Sequence, residues 1–499
     1  VNSTPIKRIL IVGGGTAGWM AAAALSERYR DHDLHIQLLE SDKIASVGVG
    51  EATVPGILQL HQHLNISERE FIRATGATFK LGIEFTDWYS KGESFFHPFA
   101  AFGSPIGEYD FYQCWLKLYR EGFHLPLEDF CLAIAMAKQG RFAQPDDEAS
   151  NPLALYNYAY HFDASRYAQF LRQYAEKRRV QRIEGKLQTV EQCNQSPQIK
   201  RVILEDGQQL EADLFVDCSG FRALLIEDCL HTGFEDWSQW LPCDRAVTMQ
   251  SKNVDAPLPY TRSTALTSGW QWRIPLQHRT GNGYVYCSRF CSDEEAEESL
   301  YKHLPGEALT PPRAIPFKTG MRKQFWSNNC VALGLASGFI EPLESTSISL
   351  IQTGIEKLMQ FLPDLVIDAA KVAEANRLNR LEYEGIRDFI VLHYKASTRS
   401  DSDFWRYVKT LPLPTSLSEK IRRFNQDGSI VLLEQESFQE QSWIAMYNGF
   451  KHIPERCKRQ VTQLDSEQLR RIMESMRSAI ASGANCAPTH SDFLTGVYA

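Results

Sequence analysis

The run Arg8-Ile9-Leu10-Ile11-Val12, followed by Gly13-Gly14-Gly15-Thr16-Ala17-Gly18-Trp19, constrains the fold more than any other stretch of the chain. Four apolar residues in a row predict a strand buried on both faces, which belongs in a parallel sheet. The glycines predict a turn that lets backbone approach a phosphate, and residues 20–25 read as the helix behind it. Residues 35–39 form a second strand ending at Glu40, 22 residues after Gly18, where an acid can bind a ribose hydroxyl. Strand, turn, helix, strand and acid in that order point to a dinucleotide held by Gly13, Gly15, Thr16, Ala17, Gly18 and Glu40. A glycine-rich turn without a ligand is the plainer alternative.

The chain has 499 residues, 43% hydrophobic and 23% charged, enough for two or three domains or for one large enzyme with interleaved segments. Net charge is −8, from 53 basic and 61 acidic residues, and no long basic stripe exists to neutralise a phosphate backbone. Nucleic acid is therefore not an expected partner. No apolar run reaches the length of a membrane span, and a nucleotide fold starting this early leaves no room for a signal peptide. The 11 cysteines are scattered. Only Cys287 and Cys291 lie close, and on a strand around 284–290 they would face the same side as packed thiols. No metal site is expected, and the thiols point to the cytoplasm.

Residues 47–55 form a glycine-punctuated loop before the helical spacing of Ile57, Leu60 and Leu64. Gly50, Glu51 and Ala52 there can approach a flat ring or a diphosphate, or simply form a surface turn. Ser67 and Glu70 mark a helix start. Across residues 78–85, Lys80 alternates with Phe79, Leu81, Ile83 and Phe85, so it stands opposite the apolar set, where a lysine is ordinarily solvated. Residues 94–125 are dense in aromatic rings, a pattern commoner in packed cores than in pocket walls.

Short strands at 188–191, 199–205 and 209–213, with a turn at 205–207, lead to a buried strand at 214–217. Its terminal Asp217 and the following Gly220 match, weakly, a second nucleotide contact. Trp270 and Trp272 alternate on a strand that ends at Pro275. A further strand at 330–333 runs through Glu341-Pro342-Leu343-Glu344-Ser345-Thr346-Ser347 into a helix spaced by Ile348, Ile351, Ile355 and Leu358. Free N–H groups at such a start attract anions, while Glu344 just before it can be no more than a cap. The last third reads as helical, with an amphipathic helix at 464–480.

With these residues placed, the sequence resembles the flavin-dependent halogenases of the tryptophan halogenase family. The resemblance is carried by Gly13 to Trp19, by Phe79-Lys80-Leu81-Gly82, by Trp270-x-Trp272-x-Ile274-Pro275 and by the segment from Gly338 to Thr346. It implies an α/β protein with a Rossmann-like FAD-binding fold of the flavin monooxygenase type, a large inserted β-sheet and a mainly helical C-terminal region. Residues 1–360 would form the FAD-binding module, with substrate-side insertions at 67–210 and 230–330. Residues 361–499 would cover the substrate, the whole forming one compact unit.

The resemblance also implies a reaction. FADH2 from a separate NAD(P)H-dependent flavin reductase, O2, and chloride or bromide give hypohalous acid, which Lys80 directs onto an aromatic substrate. Glu344 matches a carboxylate near that substrate, and Thr346 and Ser347 match positions whose backbone holds halide. Leu335 and Leu343 join the cofactor side. His97, Phe99, Ser345 and Trp443 join the substrate pocket, and Trp270 and Trp272 shield the flavin. Two departures stand out: Ser347 replaces the Gly of well-studied members, and residues 441–452 lack the aromatic-rich pattern that grips free tryptophan. The implied substrate is indole, a tryptophan derivative or a peptide-borne tryptophan, acted on by a monomer or homodimer with no membrane partner. A single-component aromatic hydroxylase of similar fold, with its own NAD(P)H contacts, is the alternative.

Overall fold

The computed structural model describes residues 5–43, 50–145 and 151–498. The chain forms two compact units, each assembled from three stretches: Val1–Ala77, Phe162–Ser238 and Pro316–Glu384 in the first, Thr78–His161, Gln239–Ile315 and Gly385–Ala499 in the second. These boundaries cut across the expected division at residue 360, because strands of one sheet come from distant parts of the sequence.

The first unit is built on a six-stranded sheet in the order Trp326–Ser327, Cys330–Ala332, Leu214–Asp217, Arg8–Val12, His35–Glu40, Gln181–Glu184. Arg8–Val12 pairs in parallel with Leu214–Asp217 on one side and with His35–Glu40 on the other. Ile9, Leu10, Ile11 and Val12 are all buried, as the unbroken apolar run requires of a central parallel strand. The following helix is Thr16–Arg28, starting four residues earlier than the apolar run indicates. The run from Trp19 marks only the part packed in the core; the first residues, Thr16 and Ala17, are half-buried. A three-stranded antiparallel meander, Leu187–Gln192, Ile199–Leu204 and Gln209–Glu211, turns at 205–207 as expected. Its Ile199, Val202, Leu204 and Leu210 pack with Leu10, Val12 and Phe215 in one core.

The second unit carries the large inserted sheet, seven strands in the order Arg313–Pro316, Arg245–Ser251, Thr280–Tyr286, Gly269–Pro275, Thr261–Leu266, Gly82–Thr86, Ser94–Pro98. The expected single strand over 78–85 is two strands. Thr78–Lys80 pairs antiparallel with residues 159–161, whereas Gly82–Thr86 joins the large sheet. Leu81 is the switch point, its N–H donating to Pro259 O at 2.7 Å. The strand near Cys287 ends at Tyr286, and Cys287 opens a turn closed by Phe290 N–H. The C-terminal region is helical, with Asp403–Thr410, Thr415–Asp427, Glu440–Gly449, Ser466–Cys486 and His490–Tyr498. Among the described residues, no helix is long and apolar enough to cross a membrane.

Candidate active site

The glycine turn of the first unit is glycine by steric necessity. Gly13 holds φ +117°, where a Cβ would fall 2.2 Å from Cys218 O, and a Cβ on Gly18 would fall 1.8 Å from Gly13 O. Close approach therefore fixes the turn. At Gly15, the N-cap of Thr16–Arg28, an added Cβ meets nothing described within 4 Å, no side chain caps the helix, and its first turn carries no acid. The N–H groups of Thr16, Ala17 and Gly18 are left for an anion.

Glu40 stands at the end of its strand against this turn. A Cβ on Gly14 would fall 1.6 Å from Glu40 Oε2. The carboxylate accepts from Trp19 Nε1 at 3.3 Å and from Arg182 Nε, with Arg172 at 3.6 Å. A carboxylate has about four acceptor sites, so a ribose hydroxyl fits beside these partners. Arg182 has no sequence signal, since it reaches Glu40 through the pairing of two strands some 140 residues apart.

The Asp217 side chain is engaged by its own loop. Its Oδ1 accepts from Ser219 N–H and Oγ at 3.0 and 2.6 Å, and its Oδ2 from Leu225 and Ile226 N–H at 2.8 and 2.9 Å. All its capacity goes to its own loop. Gly50, Glu51 and Ala52 form a short strand, while Val47, Gly48 and Val49 lie outside the described residues. Glu51 keeps some surface exposure, but its carboxyl group is desolvated, and burial pushes it up to about 8. Leu335 sits half-buried in the turn Gly334–Ala336, and Leu343 is buried. The uncapped helix start, the open Gly15 and the placed Glu40 together fit an extended dinucleotide.

A second helix start of this unit that can take an anion is that of Thr346–Phe361. Pro342–Glu344 makes one 3-10 turn, and Ser345 then takes φ 60°, the left-handed region, to launch the helix. Ser345 makes no side-chain cap bond, and the first turn has no acid. Glu344 precedes the N-cap position rather than occupying it, and it is only 1% exposed. Thr346 is buried, and its Oγ1 has no hydrogen-bond partner among the described residues. Ser347 is half-buried. Such a start can hold a small anion: it offers backbone donors and one idle hydroxyl in a dry place.

Lys80 belongs to the second unit. Alternation put it on a solvated face, yet it is 0% exposed. Its Nζ lies 5.1 Å from the centroid of the Phe99 ring, a cation–π distance. His161, opposite Thr78 on the paired strand, is pushed well below its ordinary pKa by burial, then by the charge of Lys80. His97 lies on Ser94–Pro98 with Phe99, Phe389 and Phe438 at ring distances of 6.5, 5.7 and 6.2 Å. Trp443 packs edge-on to Phe389 at 4.9 Å and donates its indole N–H to Phe438 O at 3.2 Å.

Trp270 and Trp272 point to one face of the large sheet, with ring centroids 6.0 Å apart. Trp272 lies over Gly283 of the neighbouring strand, the residue it faces in register. A Cβ there would fall 2.0 Å from the indole. The structure thus sorts the expected residues. Gly13, Gly15, Thr16, Ala17, Gly18, Glu40, Gly50, Glu51, Ala52, Leu335, Leu343, Glu344, Ser345, Thr346 and Ser347 belong to the first unit; Lys80, His97, Phe99, Trp270, Trp272 and Trp443 to the second.

The sequence profile of the family described as "Tryptophan halogenase" matches residues 8–466. BrvH, a flavin-dependent halogenase from Brevundimonas sp. BAL3, is 44% identical with a TM-score of 0.95, covering 99% of each chain. A flavin-dependent halogenase from Xanthomonas campestris is 44% identical with a TM-score of 0.94, again over 99% of each chain. The tryptophan 6-halogenase of Streptomyces toxytricini is 35% identical over 452 residues, 85% of each chain. Matched by the family profile over residues 8–466 and by two halogenases at 44% identity over 99% of its length, the chain is a flavin-dependent halogenase belonging to the tryptophan halogenase family.

Proposed function

We propose that this enzyme uses FADH2, delivered by a separate NAD(P)H-dependent flavin reductase, with O2 and chloride or bromide to halogenate an indole-type aromatic ring. The observation that carries this reading is the complete burial of Lys80 beside Phe99. An amine set against an aromatic ring in a dry place can polarise a small oxidant far more strongly than one in water, which supports a chemical role for Lys80. Bound reduced flavin supplies two electrons and the halide two more, so that FADH2, O2, halide and a proton give FAD, water and hypohalous acid.

The chain's own residues do the rest. Gly13, Gly15, Thr16, Ala17 and Gly18 hold the diphosphate, Glu40 a ribose hydroxyl, and Gly50, Glu51, Ala52, Leu335 and Leu343 the remainder of the cofactor. The N–H groups of Thr346 and Ser347 hold halide; a serine in place of glycine keeps that donor. The Lys80 ammonium donates a hydrogen bond to hypohalous acid and polarises its O–X bond toward the ring carbon. Glu344 takes the proton that the ring then loses. His97, Phe99, Ser345 and Trp443 orient the substrate, and the bulk of Trp270 and Trp272 keeps organic molecules from reduced flavin. The eleven free thiols support work in a reducing cytoplasm. The departure at 441–452 favours a substrate without the amino-acid head group of free tryptophan.

The test supplies purified protein, FAD, NADH, a flavin reductase, O2 and bromide with indole, a tryptophan derivative and a tryptophan-containing peptide, and identifies products by mass spectrometry. A brominated ring is expected, lost in Lys80→Ala with FAD binding intact. Hydroxylated product alone, or turnover without the reductase, establishes the hydroxylase alternative instead.

A further inference from the structure

Lys80 lies between two residues whose backbone N–H groups are both spoken for. Leu81 N–H donates to Pro259 O at 2.7 Å. Phe79 N–H donates instead to a side chain, Nε2 of His490, at 3.1 Å. The other ring nitrogen of His490, Nδ1, lies 2.7 Å from Pro257 O. A carbonyl can only accept, so Nδ1 carries the proton and Nε2 is the acceptor. Pro257 and Pro259 have no N–H of their own, so at these two positions the segment offers the strand only carbonyl acceptors. At Leu81 it reaches directly; at Phe79 the histidine ring spans the gap and passes the acceptor on.

The residue before Phe79 is fixed by a second histidine. Thr78 Oγ1 donates its one hydrogen to Pro275 O at 2.6 Å, so it accepts from His161 Nδ1–H at 2.9 Å. His161 Nε2 then accepts from Thr261 Oγ1 at 2.9 Å. The His490 ring must be neutral for its bond, since a protonated Nε2 would set two N–H donors face to face. Burial keeps His490 down to about 4, while burial and the charge of Lys80 keep His161 low.

His490 reaches this place because the chain end is docked. His490 N–H donates to Gly140 O and Phe142 N–H to Pro488 O, at 2.9 and 3.2 Å. Phe493 then packs edge-on to Phe79 and Phe142, at 5.3 and 4.9 Å, while those two rings stack at 4.2 Å. The family match ends at residue 466, well before this segment.

We propose that His490, the first residue of the C-terminal helix, is a positioning residue for Lys80: its ring ties the Phe79 backbone to Pro257 and so sets the direction in which the lysine side chain leaves the strand. The proposal rests on the role given to Lys80 above. A loosened strand misplaces the ammonium without touching flavin or substrate, and a displacement of about 1 Å at a reacting centre costs up to about a hundredfold in rate.

The test compares His490→Phe, which keeps the ring but removes both bonds, with His490→Gln, whose amide can accept at one end and donate at the other. His490→Met is the softer variant should His490→Phe not fold. Each is assayed with reductase, bromide and indole, with monochlorodimedone added to trap free hypobromite. Expected is a fall of about tenfold or more in kcat for bromoindole in the Phe or Met variant, with KM and FAD affinity within about twofold. The missing oxidant should appear as trapped hypobromite, and His490→Gln should recover most of the yield. A folded Phe or Met variant with wild-type coupling, or a Gln variant as impaired as they are, overturns the positioning role. Absence of brominated product from the wild-type enzyme on any ring tested defeats the functional reading itself.

Discussion

The contact between Trp272 and Gly283 allows a sharp test of both packing and function. In Gly283→Ala the new methyl would fall 2.0, 2.2 and 2.5 Å from Cζ2, Cη2 and Cε2 of the indole. Carbon atoms pack at about 3.5–4.0 Å, so the ring must move by about 1.5 Å. It cannot do so freely, because Trp270 stands 6.0 Å away on the same face and Trp272 is only 8% exposed. Overpacking of this kind costs about 1–3 kcal/mol. Gly283 does not hold the left-handed backbone, so alanine brings no strain of its own.

Trp272→Phe removes the far ring atoms that the methyl would strike. Alone it leaves a void and destabilises; combined with Gly283→Ala it makes room for the methyl. A cycle of the wild type, both single variants and the double variant should show a favourable coupling of about 1–2 kcal/mol, within the range for residues in contact. Denaturant midpoints followed by fluorescence and circular dichroism provide the measurement, each unit's transition being compared separately if two appear. Gly283→Ala should also raise hydroxylated relative to brominated indole, since the displaced indole shields less. Additive single effects, within about 0.5 kcal/mol, would refute the contact as described.

Two further outcomes follow from buried polar groups. Thr346→Val removes a buried hydroxyl without a partner among the described residues, so the protein without halide should be as stable or more so, by up to about 1 kcal/mol, while the KM for bromide rises; unchanged bromide dependence would take Thr346 out of the halide site. Acid should weaken the fold early. Burial holds His61 down to about 3 and His490 to about 4, against an ordinary 6.5, and His161 is also lowered. The unfolded chain binds these protons first, so the stability they contribute is complete above about pH 6.5 and is lost as pH falls toward 4, at about 1.4 kcal/mol per pH unit for each histidine. Denaturant midpoints that stay flat from pH 7 to 5 would contradict this.

What could be read directly from the sequence is what local sterics decide. Gly13 and Gly18 are needed because backbone atoms only a few residues away, or at the next strand's end, leave no space for a Cβ, and the apolar run 9–12 is a central strand because nothing polar interrupts it. Glu344 shows the limit of that locality. The pattern marked a helix start correctly, but the left-handed Ser345 puts the carboxylate one position before the N-cap, and only the fold reveals that it is buried.

Lys80 shows the limit more strongly. Alternation names the face on which a side chain stands and says nothing of what covers it. The strand paired with Thr78–Lys80 comes from residues 159–161, and the ring that ties Phe79 comes from a histidine 411 positions away. A lone histidine near a chain end has no periodicity or partner spacing to announce it. A family motif can mark the lysine to which the chemistry is assigned in the proposed function, because that group would have to be a lysine wherever the chain puts it. The residues that aim it need only supply an acceptor at one point in space, a requirement that different chains can meet with different residues, and so it leaves no motif.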